Sequence, residues 1–435
     1  MQTRVSILLL LLSTTTICWC IYRDVHIERG YTGDLRNRIV GARLQKDGHS
    51  PYFYKWKTNE GRRYYDPQNF DTLHVSNITA TPFFHQLLYP LADLRQRTIS
   101  KIWLLLEYIL LGIMTALAIS LAGNRQQKTA ILITVSIFMF TNAWTGHIAT
   151  GQLYLVVPFL ALLFYFCITR DTKWGYAVAA GICAATLVLI RLNTILFLLP
   201  FLFFMNRFTV AYKTVFFLSA LVIFVFAFSS KQKILYWNDY RAALSEQLKS
   251  HQHLNPTLQR NDPDPVYTSW EGWDMKQVAR DADRFPYYYN AEHGNIFVLL
   301  NHSFHIKTPV WLLVSGFFLF TFLLLYFFLK KYQRFSSVTL PYAAILAFCI
   351  YMASDILSPV HRFQYNATQW LFPLLLTASL YTARHKWIYM GIIAGMILNS
   401  VNIPFMVMEQ TLGEYLVYLS LLFLLMSHQP EATTK

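Results

Sequence analysis

Charged residues are scarce in this chain. They make up 14% of the 435 residues, whereas 55% are hydrophobic and 17% are aromatic. A soluble domain carries about 25% charged residues. Apolar runs of roughly twenty residues recur along the sequence, and each is long enough to cross a bilayer core of about 30 Å. The composition excludes an ordinary soluble domain and predicts a multi-pass, all-α membrane protein that forms one bundle.

Cysteine and the common metal and nucleotide motifs are also scarce. The five cysteines lie in or beside apolar runs without zinc-like spacing, so we expect neither a disulfide framework nor a zinc site. The sequence contains no HExxH, CxxC, Walker or dinucleotide motif, so zinc, ATP and NAD chemistry have no support. Asp262-Pro263-Asp264 spells a DxD metal motif, but its prolines favour a rigid turn over a metal site. We expect no metal and no cofactor.

The net charge of +14 follows membrane topology and does not indicate nucleic acid. With the amino terminus inside, every second short loop is basic, whereas the opposite short loops carry few Lys or Arg, as the positive-inside rule expects. About twelve spans are therefore predicted, or ten to eleven if the short pair 175–190 and 192–206 is miscounted. The predicted spans are residues 4–22, 101–122, 128–142, 150–168, 175–190, 192–206, 209–229, 308–329, 338–353, 367–382, 386–401 and 412–428.

Two long polar segments, residues 23–100 and 230–307, fall on the outer side in this topology. Both are rich in Tyr, Trp, Pro and charged residues. Such segments are long enough to form helices that lie on the bilayer and cap the bundle. We expect the first segment to carry the catalytic residue, Asp34, on an interfacial helix.

Asp34 directly follows the first span and begins a basic segment. Asp is a favoured N-cap residue, and Gly48 follows the expected helix, so a purely structural role is one interpretation. The other is a general base that removes a proton from an acceptor hydroxyl as the hydroxyl attacks a sugar carbon. The two roles are compatible, because capping also fixes the orientation of the carboxylate.

The basic residues after Asp34 also have two interpretations. They form a face turned to solvent or lipid headgroups, or some of them reach a ligand phosphate. Arg36 and Arg43 are seven residues apart and share one helix face, so this pair suits the second interpretation. The residues concerned are Arg36, Arg38, Arg43 and Lys46.

Polar residues from separate segments are predicted to meet at the outer rim, and such residues beside apolar spans are functional candidates. Arg191 is either an interface anchor or a ligand of a phosphate leaving group. Arg362 is either part of an ordinary loop pair with His361 or a ligand of the same phosphate, since arginine offers a planar fork of donors. His361 and Arg38 join them as candidates for phosphate binding.

Three further polar residues at this rim are candidates for substrate binding. They are His147, Gln152 and Tyr365. For His147 the alternative is an ordinary packed or interfacial histidine.

Short motifs occur in order over nearly the whole chain. They are Asp34-Leu35-x-x-Arg38, Gly41-Ala42-Arg43-Leu44, Gly48-His49-Ser50-Pro51-Tyr52, Thr81-Pro82, Tyr89-Pro90-Leu91-Ala92, Gly151-Gln152, and Leu357-Ser358-Pro359 with His361. In these residues the chain resembles the C-type polyprenol-phosphate-sugar-dependent glycosyltransferases, and among them glycosyltransferase family 87. The resemblance implies a helical bundle whose first outer segment supplies the catalytic aspartate, here Asp34. It also implies a lipid monophosphate donor, no required metal, and mannose as the typical sugar.

We therefore expect an inverting transfer of a hexose, with mannose as the first candidate, from polyprenyl phosphate to a glycan or glycolipid acceptor. The expected place is the periplasmic face of a bacterial inner membrane. One alternative is an oligosaccharide ligase or polymerase that uses a lipid diphosphate. Another is a lipid or sugar transporter, which typically shows two related halves with polar groups near the bilayer midplane. No such symmetry is visible in the sequence.

Overall fold

The computed structural model describes residues 2–27, 33–57, 63–66, 75–170, 174–204, 210–253, 295–331, 339–359, 362–401 and 409–427. Regular structure in these ranges is helical, as the composition predicts. The α-helices are α1 (Gln2–Ile27), α2 (Gly33–Lys46), α3 (Pro82–Leu87), α4 (Gln96–Leu121), α5 (Arg125–Phe138), α6 (Asn142–Thr150), α7 (Val156–Ile168), α8 (Trp174–Ile190), α9 (Ile195–Phe204), α10 (Val210–Phe228), α11 (Lys231–His253), α12 (Ile296–Phe304), α13 (Val310–Lys331), α14 (Leu340–Ile356), α15 (Leu371–Ser379), α16 (Lys386–Leu398) and α17 (Glu409–Ser427). His361 and the Asp262–Asp264 motif lie outside the described residues.

Several of these helices have the length and composition of membrane spans. In the described ranges, three helices are long and apolar enough to cross a membrane: α4, α13 and residues Gln410–Ser427 of α17. The number rises to five if two bent helix pairs, α5 with α6 and α10 with α11, are each one span. Other apolar helices have only 10–17 residues. The membrane character predicted from the sequence is supported, and the count of twelve spans stays a prediction.

The centre of the bundle is formed by α14, which is buried along almost its whole length. A helix that is apolar on all sides is buried in a protein core or in a membrane; here α9, α15 and α17 pack against α14. The outer helix α13 shows the opposite pattern. Its Trp311, Phe318 and Phe322 are each more than 60% exposed within the protein. The apolar surface of α13 is therefore available to lipid.

A helix replaces the short connection that the sequence predicts at residues 142–149. Helix α6 follows α5 at an angle of 59°, because Thr141 starts a new helix by accepting a hydrogen bond from the Trp144 backbone N–H at 3.2 Å. The buried carboxylate of Asp24 fixes α6 by accepting from the Trp144 indole at 2.7 Å. The span expected over 150–168 correspondingly begins only at Val156.

Helix α2 is embedded in the protein, and this corrects two expectations. Asp34 lies in the first turn of α2, inside the helix and not at the preceding N-cap position. The side chains of Arg36 and Arg43 are buried, so the interpretation that they face solvent or headgroups is wrong. Arg36 Nε donates to the Tyr65 carbonyl at 2.7 Å. Arg43 Nε donates to the Ala92 carbonyl at 2.6 Å. These cations hold irregular backbone around α2, which the sequence pattern does not reveal.

Arg38 and Lys46 complete the basic face of α2 and differ from each other. Arg38 is 7% exposed, so the solvent-facing interpretation is wrong for it as well. Lys46 remains exposed and forms an ion pair with Asp93. After α2 the chain turns at Gly48, which has a positive φ of 86°, in agreement with the predicted helix end.

Helix α11 covers α2 and its neighbouring segments. It turns away from α10 by 91°. Its Tyr240 ring packs on Tyr52 with centroids 5.4 Å apart, and Gln247 donates to the Ser76 carbonyl at 2.9 Å. Since α2 carries Asp34, α11 forms a cover on the side of the bundle where the candidate residues lie.

Candidate functional site

Asp34 lies in a small group of polar side chains drawn from three segments. Gln152, in the 151–155 connection between α6 and α7, donates a hydrogen bond from Nε2 to the Asp34 carboxylate. Tyr365, in the 3₁₀ helix Gln364–Trp370, hydrogen-bonds Asp34 through its hydroxyl. Arg38 follows Asp34 by one helical turn on α2. Residue Asp34 as a whole is partly exposed, and these neighbours hold its carboxylate in place.

Arg38 fixes the orientation of the Gln152 amide. Its Nη1 donates to the Gly151 carbonyl at 3.2 Å, and its Nη2 donates to Oε1 of Gln152. A guanidinium can only donate, so it requires the amide oxygen of Gln152 on its own side. The amide NH₂ group then faces Asp34. Arg38 thus acts on Asp34 both through Gln152 and directly by its charge.

The environment makes Asp34 a stronger base than an ordinary aspartate. Burial raises its pKa, while the positive charge of Arg38 and hydrogen bonds from Tyr365 and Gln152 lower it, and the net direction is upward. Desolvation disfavours the charged form of a carboxylate. A carboxylate with a raised pKa accepts a proton more readily, which suits a general base.

Gly151 sets how closely α2 approaches this group. It ends α6 in the left-handed region with φ of +65°, a conformation that glycine adopts without steric penalty. A Cβ atom at this position would lie 2.6 Å from Cβ of Leu35. Leu35 directly follows Asp34, so the close contact between Gly151 and α2 determines where the carboxylate lies relative to Gln152.

His85 lies near Arg38 of this group. The sequence did not single it out as a site residue. It is fully buried on α3. Burial, and then the charge of nearby Arg38, lowers the pKa of His85 to about 3. The imidazole is therefore neutral at physiological pH and adds no charge beside Arg38.

Aromatic rings extend from the Asp34 group to Arg191. Tyr365 stacks on Tyr154, with ring centroids 5.6 Å apart and planes at 23°. The Arg191 guanidinium carbon lies 5.0 Å from the centroid of the Tyr154 ring, a distance typical of cation–π contacts. Phe363 stacks on Tyr365 at 5.1 Å and is 43% exposed. The Asp34 group and Arg191 are thus connected through the rings of Tyr365 and Tyr154.

Arg191 is held by Asp355 at the carboxyl end of α14. Its Nη2 donates to both carboxylate oxygens, at 2.7 and 2.9 Å. Its Nε donates to Oδ1 of Asn193 at 3.0 Å. The side chain of Arg191 remains 20% exposed. Within the described ranges these bonds use Nε and Nη2 and leave Nη1 for a ligand.

Arg362 is engaged more completely than Arg191. Its two Nη atoms donate to the two Glu414 oxygens at 2.6 and 2.7 Å, and the Trp370 indole donates to the same carboxylate at 2.6 Å. Its Nε lies 3.9 Å from Asp355. Asp355 therefore connects Arg191 with Arg362, and each arginine is accompanied by a carboxylate.

The side chain of His147, on α6, makes its contacts with other residues. It is fully buried, and its Nε2 is 3.0 Å from Oε2 of Glu107 on α4. Its ring stacks on Trp144 at 6.0 Å. These contacts fit the packed-histidine alternative, and the substrate-binding role of His147 stays a prediction.

Four of the sequence candidates thus form one group, and two more are joined through Asp355. The first group is Asp34, Arg38, Gln152 and Tyr365, and the second is Arg191 and Arg362. The sequence did not single out Tyr154 or Glu414. Glu414 has a signal that was available, since an acid within an apolar run is a functional candidate. In the described part of the chain, no group of three or more His, Cys, Asp or Glu residues is arranged to hold a metal ion.

Two solved structures are similar to this chain. Archaeal oligosaccharyltransferase AglB from Archaeoglobus fulgidus, in complex with an inhibitory peptide and a dolichol-phosphate, is similar at 12% identity and a TM-score of 0.40, over 97% of this chain and 56% of that one. The apo form of the Archaeoglobus fulgidus oligosaccharyltransferase is similar at 11% identity and a TM-score of 0.41, over 97% of this chain and 57% of that one. This chain spans little more than half the length of either structure.

No curated protein matches the chain. The model of glycosyltransferase family 87 matches residues 79–262, a stretch that contains Gln152, Tyr154 and Arg191. The resemblance of this chain to glycosyltransferase family 87 is therefore confirmed over residues 79–262.

Proposed function

We propose that this protein is a membrane glycosyltransferase that moves a hexose, with mannose as the first candidate, from a polyprenyl-phosphate donor to an acceptor hydroxyl. The observation that carries the proposal is the geometry at Asp34, whose carboxylate is held by Gln152 and Tyr365 and whose pKa is raised by burial. The match to glycosyltransferase family 87 supports the reaction class. The bilayer supplies the lipid donor.

In this proposal the acceptor oxygen attacks the anomeric carbon while its proton passes to Asp34. The bond between the anomeric carbon and the phosphate oxygen breaks, its electron pair stays with the phosphate, and the configuration at the anomeric carbon inverts. Polyprenyl phosphate then leaves. Negative charge develops on the phosphate oxygen in the transition state. A hydrogen-bond donor directed at that oxygen therefore accelerates the reaction.

Arg191 is our candidate for binding the donor phosphate. Its Nη1 is available within the described ranges, and Asp355 and Tyr154 hold its guanidinium in place. Arg362 donates both Nη atoms to Glu414, so we assign it an indirect role in which it helps to hold Asp355. We assign Arg38 the role of orienting the Gln152 amide that bonds Asp34. His361 is kept as a candidate for the phosphate on the sequence argument alone.

The acceptor is proposed to be a glycan or a glycolipid, and we assign Tyr365 and Gln152, which both bond Asp34, the role of limiting how it approaches. The active side is proposed to be the outer one, in bacteria the periplasmic face of the inner membrane. This orientation rests on the distribution of Lys and Arg among the short loops.

The proposal is tested with purified enzyme in lipid vesicles. We expect transfer from polyprenyl-phosphate mannose, and we expect the activity to persist in a strong chelator because arginine, and not a bound metal, is assigned to the phosphate. The matched comparison is the same lipid carrying the sugar on a diphosphate. Activity only with the diphosphate donor, or only with added magnesium or manganese, would favour the oligosaccharide ligase or polymerase alternative. Movement of labelled donor across sealed vesicles without transfer would favour a transporter.

A further inference from the structure

Tyr154 contacts both ends of the candidate site. One neighbour of its ring is Tyr365, at 5.6 Å between centroids, and the Tyr365 hydroxyl bonds Asp34. The other is the guanidinium of Arg191, at 5.0 Å from the ring centroid. A single side chain therefore lies between the partner of the proposed base and the proposed phosphate ligand.

The backbone around Tyr154 is well anchored. Gln152 and Tyr154 are two residues apart in the 151–155 connection, and Leu153 between them is 8% exposed. The Trp103 indole donates to the Gln152 carbonyl at 3.2 Å. The same short connection thus supplies an amide to Asp34 and a ring to Arg191, so it relates the positions of these two residues.

We propose that Tyr154 is a positioning residue that holds the phosphate-binding arginine and the base at a fixed separation. This inference rests on the proposed function. An inverting displacement requires the attacking and leaving groups to lie in line with the anomeric carbon, and small misplacements lower the rate substantially. The Tyr154 ring restricts Arg191 on one side and Tyr365 on the other. Its loss removes one of the contacts that hold each end of the site.

The ring, and not the hydroxyl, makes the two contacts that carry this role. The informative pair of variants is therefore Tyr154→Phe, which keeps the ring, and Tyr154→Leu, which removes it. We expect Tyr154→Phe to stay within about twofold of the wild type, because the stack is preserved. We expect Tyr154→Leu to raise the donor KM and to lower kcat, each by about tenfold, because Arg191 and Tyr365 each lose a contact that restricts their position.

A double variant tests whether Tyr154 acts through Arg191. If both substitutions disturb the same guanidinium, Arg191→Lys added to Tyr154→Leu should raise the donor KM by clearly less than the product of the two separate effects. Effects on the donor KM that multiply fully would show that Tyr154 and Arg191 act independently, and would overturn the inference.

The acid limb of the pH–rate profile tests the contact with the base. The groups facing Asp34 are Arg38 of its own helix, Gln152 of the 151–155 connection and Tyr365 of the 3₁₀ helix. Loss of the Tyr154 ring loosens Tyr365, whose hydrogen bond lowers the pKa of Asp34. Tyr154→Leu should therefore move the acid limb to higher pH, and Tyr154→Phe should not. A purely structural role for Tyr154 would lower the activity without moving this limb.

A stacked tyrosine elsewhere provides the matched control. Tyr326 on α13 stacks with Phe322 at 6.4 Å and 17°, away from the candidate site. Tyr326→Leu should leave the kinetics unchanged. If Tyr154→Leu does not accumulate in membranes, Tyr154→Met removes the ring with a flexible side chain and serves the same comparison.

Binding of sugar-free polyprenyl phosphate separates this inference from the proposed function. We expect wild type and Tyr154→Phe to bind it alike and Tyr154→Leu to bind it about tenfold more weakly. If the wild type transfers sugar but Tyr154→Leu equals Tyr154→Phe in kinetics and binding, the positioning role is overturned and the proposed function stands. If the wild type neither binds this lipid nor transfers sugar from polyprenyl-phosphate mannose, both are overturned.

Discussion

Asp34 and Glu414 are held in opposite ways. Glu414 receives both Nη atoms of Arg362 and the indole of Trp370 and is 7% exposed. Asp34 receives hydrogen bonds from neutral partners and remains partly exposed. The carboxylate oxygens of Glu414 are thus occupied by a guanidinium and an indole. The carboxylate of Asp34 is held by an amide and a phenol, and burial raises its pKa. The comparison separates a structural ion pair from a candidate reactive group.

The largest expected effect is on the stability of the fold, and it concerns Glu414. Glu414→Gln leaves the buried guanidinium of Arg362 without its main counter-charge. Removing one partner of a buried ion pair destabilises a protein by about 3–5 kcal/mol, so we expect a large loss of thermal stability in detergent. Glu246→Gln on α11 is the control, since Glu246 is only partly buried. Equal stability of the two variants would mean that the Arg362–Glu414 pair contributes little.

The proposed role of Asp34 as a general base is tested by Asp34→Asn. The side chain keeps its size but no longer takes up a proton, so transfer should fall by a factor on the order of 10² or more, while thermal stability stays close to that of the wild type. Asp93→Asn removes an exposed carboxylate that pairs with Lys46 and Arg63, and should leave transfer unchanged. Near wild-type transfer by Asp34→Asn would remove the distinction between the two acids.

Arg191 combines features of both residues, because it is paired with Asp355 and is still partly exposed. Arg191→Lys keeps the charge and loses the planar fork, so donor binding should weaken by roughly 1–3 kcal/mol with little change in acceptor affinity. The control is Arg170→Lys, since Arg170 also lies over an aromatic ring, Phe166, at 4.3 Å. Steady-state kinetics with donor and acceptor varied separately decide the matter. A change confined to the acceptor KM would contradict the assignment.

The smallest expected effect concerns the pH profile. Transfer should decline as the pH falls through the pKa of Asp34, because protonation removes the base, and the raised pKa places this decline above the range of an ordinary aspartate. Tyr365→Phe removes a hydrogen bond that favours the carboxylate, so the decline should begin at a higher pH. Measuring kcat/KM against pH for both enzymes checks this. A shift to lower pH would mean that the Tyr365 hydroxyl does not stabilise the ionised carboxylate.

Local sequence was sufficient where the information was local. The apolar runs predicted helices, and the position of Asp34 just beyond the first of them marked the carboxylate that the structure joins to Gln152 and Tyr365. Charged residues were harder to interpret. Arg36 and Arg43 appear on the sequence as a face for solvent or ligand, yet they satisfy buried carbonyls of irregular backbone. Helical periodicity carries no information about carbonyls supplied by another segment.

The pairings between distant segments could not be predicted from the sequence. Arg191 bonds Asp355 across 164 positions, and Arg362 bonds Glu414 across 52. Predicting that polar residues converge at one rim is possible from topology, but choosing the partners requires the packing of the helices. Tyr154 was missed for the same reason. The sequence contains many aromatic residues, and Tyr154 differs from them only through its contacts with the Tyr365 ring and the Arg191 guanidinium.

The contact between Gly151 and Leu35 has a consequence for how substitutions affect this protein. Gly151 has no side chain and takes part in no proton transfer, yet even one methyl group there would press on Leu35 at 2.6 Å and move the start of α2. A mutational scan scored by transfer should therefore show a position with no reactive group that is almost as intolerant as Asp34. A suppressor should arise at Leu35 as a smaller residue, since restoring the space restores the alignment.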